Sequence, residues 1–257
     1  MITNEIINRA IEYILLHIEE EISIDAVAEY CHFSKFYFSR VFKAETGESI
    51  YAFIKRVKMN QSAFRLKVER NRSVTDIGYE YGYSPSNYSS VFKKQHHESP
   101  YVFRKNCVER SIIHPFFKNQ IPAFEDFETC HAKTTIEEID DFFVLYERRI
   151  GNYYHLGENW ANFMERYKAY LKEDTILLER TFDDPSITDK DSCLYDICMS
   201  VSRDCKEANT CIIQGGKFAV YHFTGHVSEI FIAYQTLFNV WLPKMKYEID
   251  ERYGFDI

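Results

Sequence analysis

Apolar residues recur at helical spacing from the start of the chain. Ile6, Ile7, Ala10, Ile11, Ile14, Leu15 and Ile18 form one stripe and predict a core-packed helix over residues 4–19. Beyond it one pattern is written twice. Residues 23–55 and 73–105 align without a gap at an offset of fifty, and 11 of their 33 positions are identical. Ser23 and Ser73 stand where an N-cap precedes a short apolar-periodic run, with Asp25 or Asp76 in the first turn, where the helix dipole favours an acid. The spacing predicts helices over 24–31 and 74–81, turns at Cys31-His32-Phe33 and Gly82-Tyr83, and second helices over 35–46 and 85–96, capped by Ser34 and Ser84. Gly47 stops the first of these second helices. His97 takes its place in the other copy, where a turn of the same shape forces positive φ on a non-glycine residue. Between the copies, Ile50, Phe53, Ile54, Val57 and Phe64 predict one amphipathic helix over 49–68.

A short helix, a tight turn and a second helix with a basic outer face form the helix-turn-helix pattern. Two copies are too few for a solenoid, so the unit is a duplicated helical subdomain. The second helices turn Phe38, Val41 and Phe42, or Tyr88, Val91 and Phe92, inward. Lys35, Phe36, Ser39, Arg40 and Lys43 then face outward, and such residues reach base edges and phosphates. At 1.5 Å per residue the connecting helix measures about 30 Å, close to the roughly 34 Å of one DNA turn. A rod of that length suits two reading helices in successive major grooves.

The second half reads differently. Residues 107–133 contain Pro115 and Pro122, mixed charges and no helical period, and are expected to be a linker. Its Ile112, Ile113, Phe116, Phe117, Phe124 and Phe127 predict that it packs. A strand is expected over 136–150, a turn at Gly151-Asn152-Tyr153, and an amphipathic helix over 157–172 with Trp160, Phe163, Met164, Tyr167 and Leu171 on one face. Strands over 175–182 and 193–202 flank the loop DDPSITDKD. A strand over 211–224, interrupted at Gly215-Gly216, precedes a helix over 227–241 that ends at Trp241-Leu242-Pro243. The expected chain is multi-domain: an all-α N-terminal domain over 1–107, a linker over 108–133, and an α+β domain over 134–257 with antiparallel sheet and two helices. Within the first, subdomains over about 4–48 and 69–106 are joined by the helix over 49–68.

Charge sharpens the division. The net charge of −8 argues against a nucleic-acid binder when read globally. Yet residues 1–107 carry 15 Lys/Arg and 13 Asp/Glu, whereas 108–257 carry 16 and 26. Residues 35–105 alone carry 14 basic and 6 acidic side chains. One half is locally basic and the other strongly acidic, an asymmetry that accompanies nucleic-acid interaction. With no apolar run near the roughly 20 residues of a membrane span, and acids where a signal peptide carries bases, a cytoplasmic location is expected. The seven cysteines then read as reduced thiols. Cys193, Cys198, Cys205 and Cys211 lack zinc spacing, and no GxSxG, P-loop, HExxH or GxGxxG motif is present. No metal, cofactor or catalytic residue is expected.

The segment FSKFYFSRVFKAETG with Arg56 and Ala63, and the block DIGYEYGYSPSNYSSVFKKQHHESPYVFRK, resemble the AraC/XylS family of bacterial transcription regulators over residues 4–106. The resemblance implies recognition helices over 35–46 and 85–96, with Phe36, Ser39 and Arg40 at base-reading positions of the first and Ser86, Asn87 and Ser90 at those of the second. Lys35, Lys43, Ser84, Lys93 and Lys94 complete the implied DNA contacts, and double-stranded DNA and RNA polymerase are the implied partners. This chain has Ser90 where an Arg is common, His97 where Gly is usual, Gly78 for a small Ala and His32 for the Gly kept as Gly82. The first motif is therefore expected to carry more sequence specificity and the second more phosphate contact.

Residues 134–257 resemble the GyrI-like, or SbmC-type, effector-binding domain. The match rests on Gly151-x-Tyr153, Trp160, Asp183-Asp184-Pro185, Leu194-Tyr195-Asp196, Gly215-Gly216-Lys217-Phe218, Tyr221, Gly225 and Trp241-Leu242-Pro243. It implies two βαββ-type halves around a groove that takes a small molecule, commonly a hydrophobic cation, between aromatic walls and an acid. The implied effector residues are Glu147, Tyr153, Trp160, Tyr195, Tyr221, Trp241 and Asp256, with Asp256 as the acid and the family's last strand missing. Aromatic faces in an acidic domain attract desolvated cations on physical grounds alone. Phe143, Phe163, Phe231 and Phe238 read as ordinary core. The expectation is a regulator with a small-molecule or protein effector and no enzymatic activity. Two alternatives stay open: a small-molecule hydrolase using Glu147 and Tyr153, and a sequestering or protein-binding module.

Overall fold

The computed structural model describes residues 1–112, 123–226 and 229–257. The N-terminal half runs through α1 (Glu5–Leu16), α2 (Ile24–Tyr30), α3 (Lys35–Thr46), α4 (Ile50–Val68), α5 (Val74–Glu80), α6 (Pro85–His96) and α7 (Pro100–Ile112). The repeat sets the boundaries. Ser23 and Ser73 accept the amides of Ala26 and Asp76, and Ser49 accepts that of Ala52. Ser34 and Ser84 hold the N-cap positions of α3 and α6, but neither side chain caps its helix, contrary to expectation. The amides opening both second helices are left for another acceptor.

The left-handed positions are shared reciprocally between the copies. Gly82 and Gly47 have φ of 81° and 80°, and their counterparts His32 and His97 have 61° and 65°. Each histidine bears a cost that glycine avoids. We expect His32→Gly and His97→Gly each to stabilise the chain by about 0.5–1 kcal/mol, read as a rise in the chemical denaturation midpoint. Gly78 also has a cause: a Cβ there would lie 2.9 Å from the Tyr88 ring, so glycine in α5 accompanies the tyrosine in α6.

Helix α4 is buried almost all round, not on one face. Besides Ile50, Phe53, Ile54 and Val57 it buries Lys58, Asn60, Arg65 and Lys67. The C-terminal half packs against Asn60, Arg65 and Lys67, whereas Lys58 is held within the N-terminal half by the Glu20 and Tyr81 carbonyls. One apolar cluster runs from Ile7, Ile11 and Phe42 through Phe53, Leu66 and Phe92 to Phe182 and Leu194 of the second half.

The expected linker is largely helical at its ends: α7 continues to Ile112, and α8 (Phe127–Ala132) is capped by Asp126. Ile113, Phe116 and Phe117, expected to pack there, lie outside the described residues, as do Pro115 and Pro122. The single strand expected over 136–150 is two strands, β1 (Thr134–Ile139) and β2 (Phe142–Ile150), in different sheets. The chain changes sheet at Asp140–Asp141. There Asp141 accepts the Gly215 amide at 2.8 Å, and a Cβ on Gly215 would meet the Ile139 carbonyl at 2.1 Å. Helix α9 (Leu156–Arg166) follows, then β3 (Leu177–Thr181), β4 (Leu194–Ser200), β5 (Thr210–Ile213) and β6 (Gly216–Tyr221). Helix α10 (Ile230–Thr236) continues as a wider turn to Trp241, and β7 (Phe255–Asp256) closes the order.

Strands β1 and β6 form a two-stranded sheet; the other five run β5-β2-β4-β3-β7, all antiparallel. Strand β7 is two residues long and pairs with β3.

Candidate DNA-reading face and effector cleft

Helices α3 and α6 present matched outer faces. Lys35, Phe36, Arg40 and Lys43 are exposed on α3 and Ser39 is half-buried; Ser84, Ser86, Asn87, Ser90, Lys93 and Lys94 are exposed on and before α6. Phe36 is 85% exposed, an unusual state for a phenylalanine. Beneath them, Phe42 meets Phe53 edge-on at 5.4 Å and Phe92 meets Phe103 at 5.3 Å, so both second helices rest on identical aromatic seats. Lys35 is bonded to Asp25 at 2.6 Å, but both side chains are solvated and such a pair holds weakly. Nineteen residues make α4 about 28 Å long.

The second site is a cleft of about 2430 Å³. Five of the expected effector residues line it: Tyr153, Trp160, Tyr221, Trp241 and Asp256. Tyr221 donates to Glu125 at 2.7 Å, and the Trp241 indole donates to His131 at 3.2 Å. Phe231 and Phe238, expected as core, also line the cleft, whereas Phe163 is core as expected. Asn60, Gln61, Phe64 and Arg65 of α4 contribute to the same cleft, which therefore touches the DNA-reading half.

Glu147 and Tyr195 do not line this cleft. Tyr195 is buried under α9, accepts from Asn159 at 3.0 Å and stacks beneath Tyr153 at 4.7 Å. Glu147 is also buried, and is answered by Arg149 at 2.7 Å and by Arg166 of α9. Register explains the correction. Glu147 pairs across Ile197 to Glu179, and Glu179 pairs to Asp256, so one row on one sheet face holds three acids. At the β2 end arginines neutralise the acid. At the β3–β7 end, among the described residues, neither Glu179 nor Asp256 has an ion pair.

Glu179 is the site residue that sequence reasoning missed; its signal was an acid in mid-strand, in LLERT. Burial, then the charge of Asp256, pushes its carboxyl up to about 8, with the Trp160 indole opposing. Burial raises Asp256 too, against a 2.8 Å hydrogen bond donated by Tyr234 of α10.

Among the polar contacts that join the halves, two clusters are the most buried. In the first, Asp196, fully buried, accepts from Arg148 at 2.8 and 2.9 Å and from Arg180 at 3.1 and 2.6 Å. Glu12 of α1 accepts from both arginines, at 2.6 Å and 3.2 Å, and Arg148 also donates to the Asn8 carbonyl at 3.1 Å. Despite burial, the two arginines hold Glu12 down to about 2. In the second, Lys67 of α4, fully buried, donates to Asp184 at 2.6 Å, to Ser186 at 3.2 Å and to Gln235 of α10. Gln235 is adjacent to Tyr234, which holds Asp256 in the cleft.

Residues 27–106 match a helix-turn-helix domain model, and residues 132–257 match the GyrI-like small molecule binding domain. Regulatory protein SoxS of Salmonella typhimurium is 31% identical over 101 residues, 39% of this chain and 94% of that protein. The chain belongs to the AraC family of transcription regulators. Multiple antibiotic resistance protein MarA of Escherichia coli, 30% identical over 112 residues, covers 42% of this chain and is itself covered to 87%. Transcriptional regulator Rob of Salmonella typhimurium aligns with both halves, at 22% identity over 94% of this chain and 85% of that protein. This AraC-family chain is thus a DNA-binding regulator with a small-molecule domain attached. None of its described helices is long and apolar enough to cross a membrane.

Proposed function

We propose that this regulator reads one asymmetric DNA site through two adjacent major grooves and that a cation in the C-terminal cleft controls the reading. The observation that carries the first part is the pair of matched, exposed helix faces on α3 and α6, held apart by the buried rod α4. Phe36, Ser39 and Arg40 read bases from α3; Ser86, Asn87 and Ser90 do so from α6. The uncapped amides at both helix starts, with Lys35, Lys43, Ser84, Lys93 and Lys94, take phosphates. RNA polymerase is the protein partner of the bound complex.

The second part rests on aromatic walls around two acids that have no ion-pair partner among the described residues. A ligand there meets Asp256 and Tyr234; Gln235, next along α10, grips Lys67, and Lys67 belongs to the rod that sets the spacing of the reading helices. Effector and DNA then act on a common element, and each changes the affinity for the other by the same factor. The hydrolase alternative requires Glu147 and Tyr153 to share a cleft, and Glu147 is instead occupied by two arginines.

Arg40→Ala tests the reading. It is expected to weaken binding to the chain's own selected site by about 1–3 kcal/mol, with a smaller loss on random duplex, because a bidentate base contact is removed. Equal losses on both DNAs would reassign Arg40 to phosphate.

A further inference from the structure

We propose that Glu179 and Asp256 form a two-carboxylate fork that selects cations bearing N–H donors, such as amidinium or guanidinium groups, over quaternary ammonium ions. This rests on the cation reading of the cleft given above and specifies its ligand class. The two residues are register partners on antiparallel strands, so their Cα atoms lie about 4.5–5.5 Å apart and their side chains leave the same sheet face. Glu179 is 8% exposed, and both residues line the cleft.

The hydrogen-bond balance decides the chemistry. Two carboxylates present four oxygens, each able to accept. The side chains around them supply the Trp160 indole N–H to Glu179 and the Tyr234 hydroxyl to Asp256. The third acid of the row, Glu147, shows how the fold treats a carboxylate it neutralises itself: it places two guanidinium groups on it. At the fork, no guanidinium or ammonium group is provided among the described residues. An empty pair this close keeps a proton on one of its members, because two adjacent buried charges repel. A quaternary ammonium ion offers charge but no N–H, and leaves the buried oxygens unsatisfied. A planar amidinium or guanidinium offers N–H groups along two edges, one for each carboxylate, while Tyr153 and Trp160 flank its apolar remainder. Its entry ionises both acids and sends the held proton to solvent.

The test uses the full chain and two probes of matched shape, biphenyl-4-carboxamidine and trimethyl(biphenyl-4-yl)ammonium, titrated calorimetrically at pH 7 in two buffers of different ionisation enthalpy. The amidinium is expected to bind at least about tenfold tighter, with release of close to one proton per ligand. Glu179→Gln and Asp256→Asn, each nearly isosteric, are expected to bring the two affinities together and to abolish the proton release. Equal affinities in the parent chain, or a preference that survives both substitutions, overturn the fork. If the ammonium binds as well as the amidinium, the cation reading stands and only the N–H selection falls. If neither probe binds, both readings fall together.

Discussion

Asp196→Ala is expected to lower the unfolding free energy by about 3–5 kcal/mol, the range for removing one partner of a buried ion pair. Asp196 and Arg148 are both fully buried, and Arg180 nearly so. The carboxylate accepts four hydrogen bonds from the two guanidinium groups. Without it, two buried cations share Glu12, whose side chain is 26% exposed. The loss should be transmitted across the domain boundary, because Arg148 also holds the Asn8 carbonyl and bonds through its own carbonyl to the Ile2 amide at 2.8 Å. Both tryptophans, Trp160 and Trp241, lie in the C-terminal half, whereas most of the helix lies in the N-terminal half. Denaturation followed by tryptophan fluorescence and by far-ultraviolet dichroism therefore reports the halves separately. The variant is expected to show a lower midpoint by both probes. A loss under about 1 kcal/mol would mean that the network adds nothing to the fold.

The second large effect depends on pH. Glu179→Gln is expected to be more stable than the parent chain above pH 8, and equal to it near pH 4. The folded carboxyl titrates at about 8, and an unfolded glutamate near the ordinary value of 4.5. Between those values the folded chain keeps a proton that the unfolded chain has released. Stability from this group is thus complete below about pH 4.5 and lost as pH rises through 8. At about 1.4 kcal/mol per unit the loss is on the order of several kcal/mol. The groups facing Glu179 are Asp256 and Trp160, with Tyr234 bonded to Asp256. Glutamine cannot ionise, so the variant's profile should be flat through the window. Glu12 acts in the opposite direction: held at about 2, its contribution is present above 4.5 and lost as pH falls. Thermal melts of both proteins from pH 4 to 9 measure the difference, and parallel profiles would show that Glu179 is not a protonated buried acid.

The N-terminal half was legible because its repeat states each element twice. Ser73, Pro85 and Gly47 mark ends in one copy that the other copy confirms, and α3 and α6 begin and end where their residues predict. What the pattern hid was the partner of α4. Asn60, Arg65 and Lys67 stand off the apolar stripe of the helix, and charge or polarity there says nothing of what will cover it. Phe182 and Leu194 join the N-terminal core for the same reason: contacts between distant segments leave no period in either.

The effector site was half legible. Tyr153, Trp160, Tyr221, Trp241 and Asp256, named from the sequence, all line the cleft. Glu147 and Glu179 are both mid-strand acids on the same face of the same sheet, and nothing in the sequence ranks one above the other. Only the register, and the position of Arg149 and Arg166, tells which end of the row is neutralised. The break of the expected 136–150 strand at Asp140–Asp141 was hidden too. Its cause is the close approach of Gly215, seventy-four positions away.

The central claim is that two reading helices on one buried rod recognise a single asymmetric site. A selection of genomic fragments by the purified full chain, read at two salt concentrations, tests it most directly. The expected result is one asymmetric motif covering about two helical turns, with retention falling steeply as salt rises. Retention without an enriched motif, or a palindromic motif requiring two copies of the chain, would contradict it.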